Sequence, residues 1–185
     1  MIGYRIWTAN NGDWHRKDSG CTVRARHHLG PLYTGSLGTR RPGIFPGEHG
    51  LWEKRTAQAV NCSNGCRASP GPCGECGIFL MRTPGLSLAF YDSHLRALPR
   101  YFDNCGSMER FMVVGRVEVQ GPLHSVAPEH GNRSGVPEWR TASASVQALC
   151  IPEDKGHWAR PLIARYQVPV HTGVTLENLT NKESL

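Results

Sequence analysis

Apolar positions along this chain recur in short alternating runs broken by Gly, Pro and Asn, the pattern of strands and turns and not of long helices. The clearest run is Phe111 to Gln120 (FMVVGRVEVQ), where Val113, Val117 and Val119 mark one face and Gly115 predicts a bulge. Gly3 to Trp7 (GYRIW) predicts a short opening strand, followed by a turn at Asn10-Asn11-Gly12. Leu51 to Val60 fits either a short helix or a strand. Gly77 to Thr83 (GIFLMRT) predicts a buried strand. Ser93 to Tyr101 reads as a helix, with Ser93 as its cap and Pro99 interrupting it late. Trp139 to Cys150 fits a further strand or a weak helix. Residues 12–50 show no period and suggest a long arm or loop, and the polar residues from Val174 onward predict a frayed end. Neither internal repeats nor heptads are present.

Composition agrees with that picture. At 185 residues the chain suits one domain, or a domain with an arm. A hydrophobic share of 39% against 19% charged is that of a globular chain, while 21 Gly and 13 Pro favour short elements. The expected fold is therefore α+β and β-leaning, a small zinc-stapled domain with a loop-rich basic N-terminal region. Its divisions are residues 1–50 (basic region), 51–170 (core) and 171–185 (flexible tail).

The staple is read from Cys62, Cys66, Cys73 and Cys76, four thiols within fifteen residues in the spacing C-x3-C-x6-C-x2-C. Two close pairs separated by a turn can converge on one tetrahedral Zn2+. Cys73-Gly74-Glu75-Cys76-Gly77 resembles a rubredoxin-type knuckle, in which a Gly after the second Cys frees backbone N–H groups to point at sulfur. Other uses stay open: three cysteines with a His such as His49 or His94, no common site, an iron–sulfur cluster, or a redox disulfide. Cys21, Cys105 and Cys150 are scattered and fit buried small apolar residues.

Charge adds a candidate partner. Of the net +6, residues 1–60 supply +5, with nine Lys/Arg against four acids. Arg16, Lys17, Arg24, Arg26, Arg40 and Arg41 are the candidate phosphate contacts, and Trp7, Trp14 and Tyr33 the candidate stacking faces. The alternative is a solvated arginine-rich surface. The first twenty residues lack the apolar stretch of a secretory signal, and no apolar run approaches a membrane span. A reducing cytoplasm is thus the expected location, and it favours metal over disulfides. Asn61, Asn132 and Asn178 open N-x-S/T triplets that carry no meaning without secretion.

Enzymatic patterns are sparse. Pro72-Cys73-Gly74-Glu75-Cys76 matches half of the zinc deaminase signature, but the required His-x-Glu is absent and the following residues read as strand. No G-x-S-x-G, H-E-x-x-H or Walker loop occurs. His124, Glu129 and His130 lie close together in GPLHSVAPEHG. They suit a metal or acid–base site, or simply a solvated turn.

Several of these segments together resemble an uncharacterised family of small proteins from actinobacteria and their phages. The matching pieces are Gly3-Tyr4-Arg5-Ile6-Trp7, Pro46-Gly47-Glu48, Ala59 with Cys62, Cys76-Gly77-Ile78-Phe79, and Val113-Val114-Gly115-Arg116-Val117. Phe79 stands where the family has Tyr, and the cysteine spacing is wider than the family's C-x-C. The resemblance implies a small α+β fold with cysteines near one strand, and it transfers neither a site nor a reaction.

The expected function is a non-enzymatic, zinc-stabilised binding or adaptor module for nucleic acid or a nucleoprotein complex. One alternative is a protein-binding regulator of phage type, an inhibitor or assembly component whose residues 8–50 wrap a partner. Another is a metal-dependent enzyme around His124 and His130.

Overall fold

A computed structural model describes residues 1–10, 14–15, 22–23, 28–31, 54–59, 66, 70–72, 77–97, 110–125 and 138–181. Strand β1 (Ile2–Asn10) and strand β7 (Arg110–Gln120) form the centre, antiparallel from Ile2 opposite Glu118 to Asn10 opposite Arg110. Between them in sequence come β2 (Trp14–His15), β3 (Thr22–Val23), β4 (His28–Pro31), β5 (Thr56–Gln58), β6 (Ile78–Met81) and helix α1 (Pro84–Ala97). After β7 follow β8 (His124–Ser125), β9 (Glu138–Thr141), β10 (Ser143–Ile151), a 3-10 helix (Glu153–Trp158), α2 (Ala159–Tyr166), β11 (Val170–Thr172) and α3 (Leu176–Thr180). The main sheet runs β11-β10-β7-β1-β6-β9-β8, with β4 added to β1 and β5 to β10; β2 and β3 pair separately. The fold is mostly antiparallel sheet with few helices, as a β-leaning α+β reading requires.

The sheet curls. Only Ala142 separates β9 from β10, and only Gly121 to Leu123 separate β7 from β8. Gln120 faces Ser143, and His124 faces Arg140, so one bent hairpin carries the ladder across both breaks with a register shift of a single residue. β6 bridges back from β9 to β1, which it meets at Tyr4 opposite Met81. Arg5 reinforces that thin join by donating from Nη1 to the Phe79 carbonyl at 2.6 Å. The outer edge of β10 is covered in two pieces, by β5 at Ser143 to Ser145 and by β11 at Leu149 to Ile151. Such cover removes an open edge that would otherwise pair with other chains.

Alternation fixes the two faces. Trp7, Ala9, Phe111, Val113, Val117 and Val119 point to one core, closed by Trp158, Leu162 and Tyr166 of the 3-10 helix and α2. Phe111 meets Trp158 edge-on, with centroids 4.9 Å apart at 84°. Ile6, Met112 and Val114 point to the other core, which α1 and α3 cover through Phe90, Tyr91 and Leu179. On β10 the parity changes: Ala144 and Val146 join the first core, and so do Leu149 and Ile151, while Cys150 joins the second. A bulge at Gln147, between Val146 and Ala148, makes the change.

Several expectations need correcting. The bulge lies on β10 and not at Gly115, across which the β1–β7 register is unbroken. Gly115 answers a close approach instead: a Cβ there would lie 2.6 Å from the Ala148 carbonyl oxygen and 2.9 Å from Trp7 Cζ3. The helix expected from Ser93 begins nine residues earlier, at Pro84. Thr83 caps it by accepting from Leu86 N through Oγ1, and Pro84 occupies the first turn, where its missing N–H costs nothing. Ser93 sits inside the helix and donates to the Phe90 carbonyl. Leu51 to Val60 contains a strand, and Trp139 to Cys150 splits into two. Residues 12–50 contain β2, β3 and β4, and β4 pairs with β1 from Trp7 opposite Pro31 to Asn10 opposite His28. The polar end from Val174 holds α3, with Leu179 only 1% exposed and Arg116 donating to the Thr180 and Asn181 carbonyls.

Candidate functional site

Strand β6 owes its place to Gly77, whose φ of +115° is open to glycine at little cost. A Cβ there would come within 3.0 Å of Pro70 Cβ and 3.3 Å of Arg140 Cβ, so the chain on both sides of the cysteine pair presses against β9. Arg140 supplies the polar half of this seat. It is 7% exposed and donates from Nη1 to the Gly71 carbonyl at 3.1 Å. A guanidinium kept that far from water is costly unless its donors are used, which ties the loop's position to the strand's. The segment of residues 70–77 is thus fastened to the sheet at both ends.

Of the four clustered cysteines, Cys66 is half-buried, whereas Cys62, Cys73 and Cys76 lie outside the described residues. So do Arg16, Lys17, Arg24, Arg26, Arg40 and Arg41, together with Tyr33, His49, Glu129 and His130. No group of three or more His, Cys, Asp or Glu side chains converges among the described residues. His124 is exposed on β8, and His94 falls within α1. Trp7 is 0% exposed and belongs to the core, so it offers no stacking face. Cys150 is likewise 0% exposed, and burial pushes its thiol up to about 12, with Arg116 pulling weakly the other way. Such a thiol is no nucleophile near neutral pH. The residues after Gly77 form strand, not the helix that a deaminase-type cysteine pair would begin.

Pattern reading passed over Arg140, Arg82 and Trp139. No local pattern marks the first: Arg140 stands between Phe79 on β6 and His124 on β8, and its bond to the Gly71 carbonyl comes from a distant part of the chain. At the far end of β6 the Arg82 guanidinium lies 5.6 Å from the Trp139 ring centroid. Beside this pair opens a cleft of about 240 Å3, between the starts of β1 and the ends of β6 and β7. The cysteine loop and the cleft therefore stand at opposite ends of one short strand.

No protein-family model matches the chain, no curated protein matches it significantly, and no solved structure does so either. No helix among the described residues is long and apolar enough to cross a membrane.

Proposed function

We propose that the chain is a non-enzymatic binding module whose basic N-terminal region attaches to nucleic acid or a nucleoprotein complex. Zinc held by Cys62, Cys66, Cys73 and Cys76 clamps the loop that leads into β6. The observation that carries the reading is the pairing of β4 with β1, in register from Trp7–Pro31 to Asn10–His28. That strand lies between Arg24 and Arg26 on one side in sequence and Arg40 and Arg41 on the other, so a basic segment is fastened to the central strand of the sheet. A charge of +5 within residues 1–60 gives the segment its preference for phosphates. Support for the clamp comes from Gly77, whose positive φ is what a knuckle needs behind its second cysteine, and from the Arg140 bond to Gly71.

Binding of a labelled single-stranded DNA, followed by fluorescence polarisation across a salt series, tests the reading. Counterion release predicts affinity that falls steeply with salt. Replacing Arg24, Arg26, Arg40 and Arg41 together by Glu should weaken binding by more than tenfold and flatten the slope by about 0.7 for each phosphate no longer neutralised. Absence of binding at low salt, or binding indifferent to salt and to these changes, contradicts it.

A further inference from the structure

The cleft at the end of β6 combines an apolar lining with an aromatic ring and a guanidinium. Its wall is apolar, made by Gly3, Leu80, Val119 and Leu123, and its rim carries Trp139 and Arg82. Trp139 is half-buried and fixed in register on both sides, opposite Leu80 on β6 and Ser125 on β8, so its indole belongs to a rigid strand. Arg82 is exposed and lies over the indole face, 5.6 Å from its centroid. A volume of about 240 Å3 falls just below the range of drug-sized ligand sites. It suits one flat ring system and is too small for a second segment of chain. An indole beside an apolar wall selects a planar ring, and a guanidinium selects a phosphate through paired N–H donors.

We propose that this cleft receives a single nucleotide of a bound single strand, its base against Trp139 and the apolar wall and its phosphate on Arg82. The inference rests on the nucleic-acid reading above and adds a base-dependent contact to the charge-driven one. In the free protein Arg82 covers the indole. When a strand arrives the guanidinium turns to the phosphate and gives up the ring face to the base. The bend that joins β7 to β8 brings Leu123 against this site, so the curl of the sheet itself shapes the cleft.

The test compares a single-stranded DNA with an abasic strand of the same length, by fluorescence polarisation against the full chain. The natural protein should bind the base-bearing strand about tenfold more tightly, the scale of one base stacked on an aromatic side chain. Trp139→Leu, which keeps an apolar residue in the strand, should abolish that preference. Arg82→Gln, at an exposed position where folding is not at stake, should reduce it. Trp139→Leu should keep the abasic affinity and its salt dependence, whereas Arg82→Gln, which removes a phosphate contact common to both strands, should weaken binding of both and flatten the salt slope. Equal binding of the two strands by the natural protein, or a preference that survives in Trp139→Leu, overturns the cleft and leaves the basic segment's role standing. Failure of both strands to bind overturns both readings.

Discussion

Gly115 shows how much a single residue decides in this fold. Its Cα faces the edge of the Trp7 ring on one side and the Ala148 carbonyl on the next strand, with Leu149 Cδ2 at 2.9 Å from where a Cβ would stand. Trp7 is fully buried and among the largest such side chains in the molecule, so the absent methyl group makes room for it. Gly115→Ala should cost about 1–3 kcal/mol through overpacking, seen as a lower urea midpoint at unchanged slope. An unaltered midpoint would show that the neighbours yield freely. In the sequence this glycine interrupts an alternating run and so resembles a bulge. Bulges and close approaches both call for glycine, and only the partner strand tells them apart. Arg140 was hidden for a similar reason: its worth depends on the Gly71 carbonyl, 69 residues away.

At the scale of elements, strands built on alternating Val, Ile and Phe were legible. β1, β6 and β7 fall within a few residues of their predicted positions because their side chains serve both faces of a covered sheet. α1 was half legible, since Pro84 and Gly85 look like breakers until Thr83 is recognised as a cap. α3 was not, because five residues with one buried leucine carry too little period to stand out; docking of Leu179 and the Arg116 bonds hold it. The bulge on β10 gives a sharper test. Val146 and Leu149 both face the first core because Gln147 is one residue too many in the ladder. Deleting Gln147 alone should leave a cooperatively folded protein with a regular strand. Deleting Gln147 and Ala148 together should turn Leu149 and Ile151 away from the core and abolish cooperative unfolding by circular dichroism. Equal tolerance of the two deletions would contradict the assigned register.

The whole molecule joins three things that composition kept apart: a curled sheet, a cysteine loop and a basic segment. The sheet was legible as a class of fold, but its closure was not, because closure follows from two short breaks in one hairpin and not from any local pattern. The cysteine spacing and the uneven charge were plain in the sequence, while their attachment to the sheet through Arg140, Gly77 and β4 depends on long-range pairing. On this account the metal-clamped loop holds the start of β6, β6 holds the wall of the cleft, and β1 carries both the cleft floor and the strand that anchors the basic segment. The proposed clamp is the joint on which the rest of this account depends, and bound metal would be its direct signature. Elemental analysis of protein purified without chelator or metal-affinity resin should find one zinc per chain, and Cys73→Ser/Cys76→Ser should lose the zinc together with stability. A full-length, folded protein with no metal, or a variant that keeps its zinc, would contradict the account.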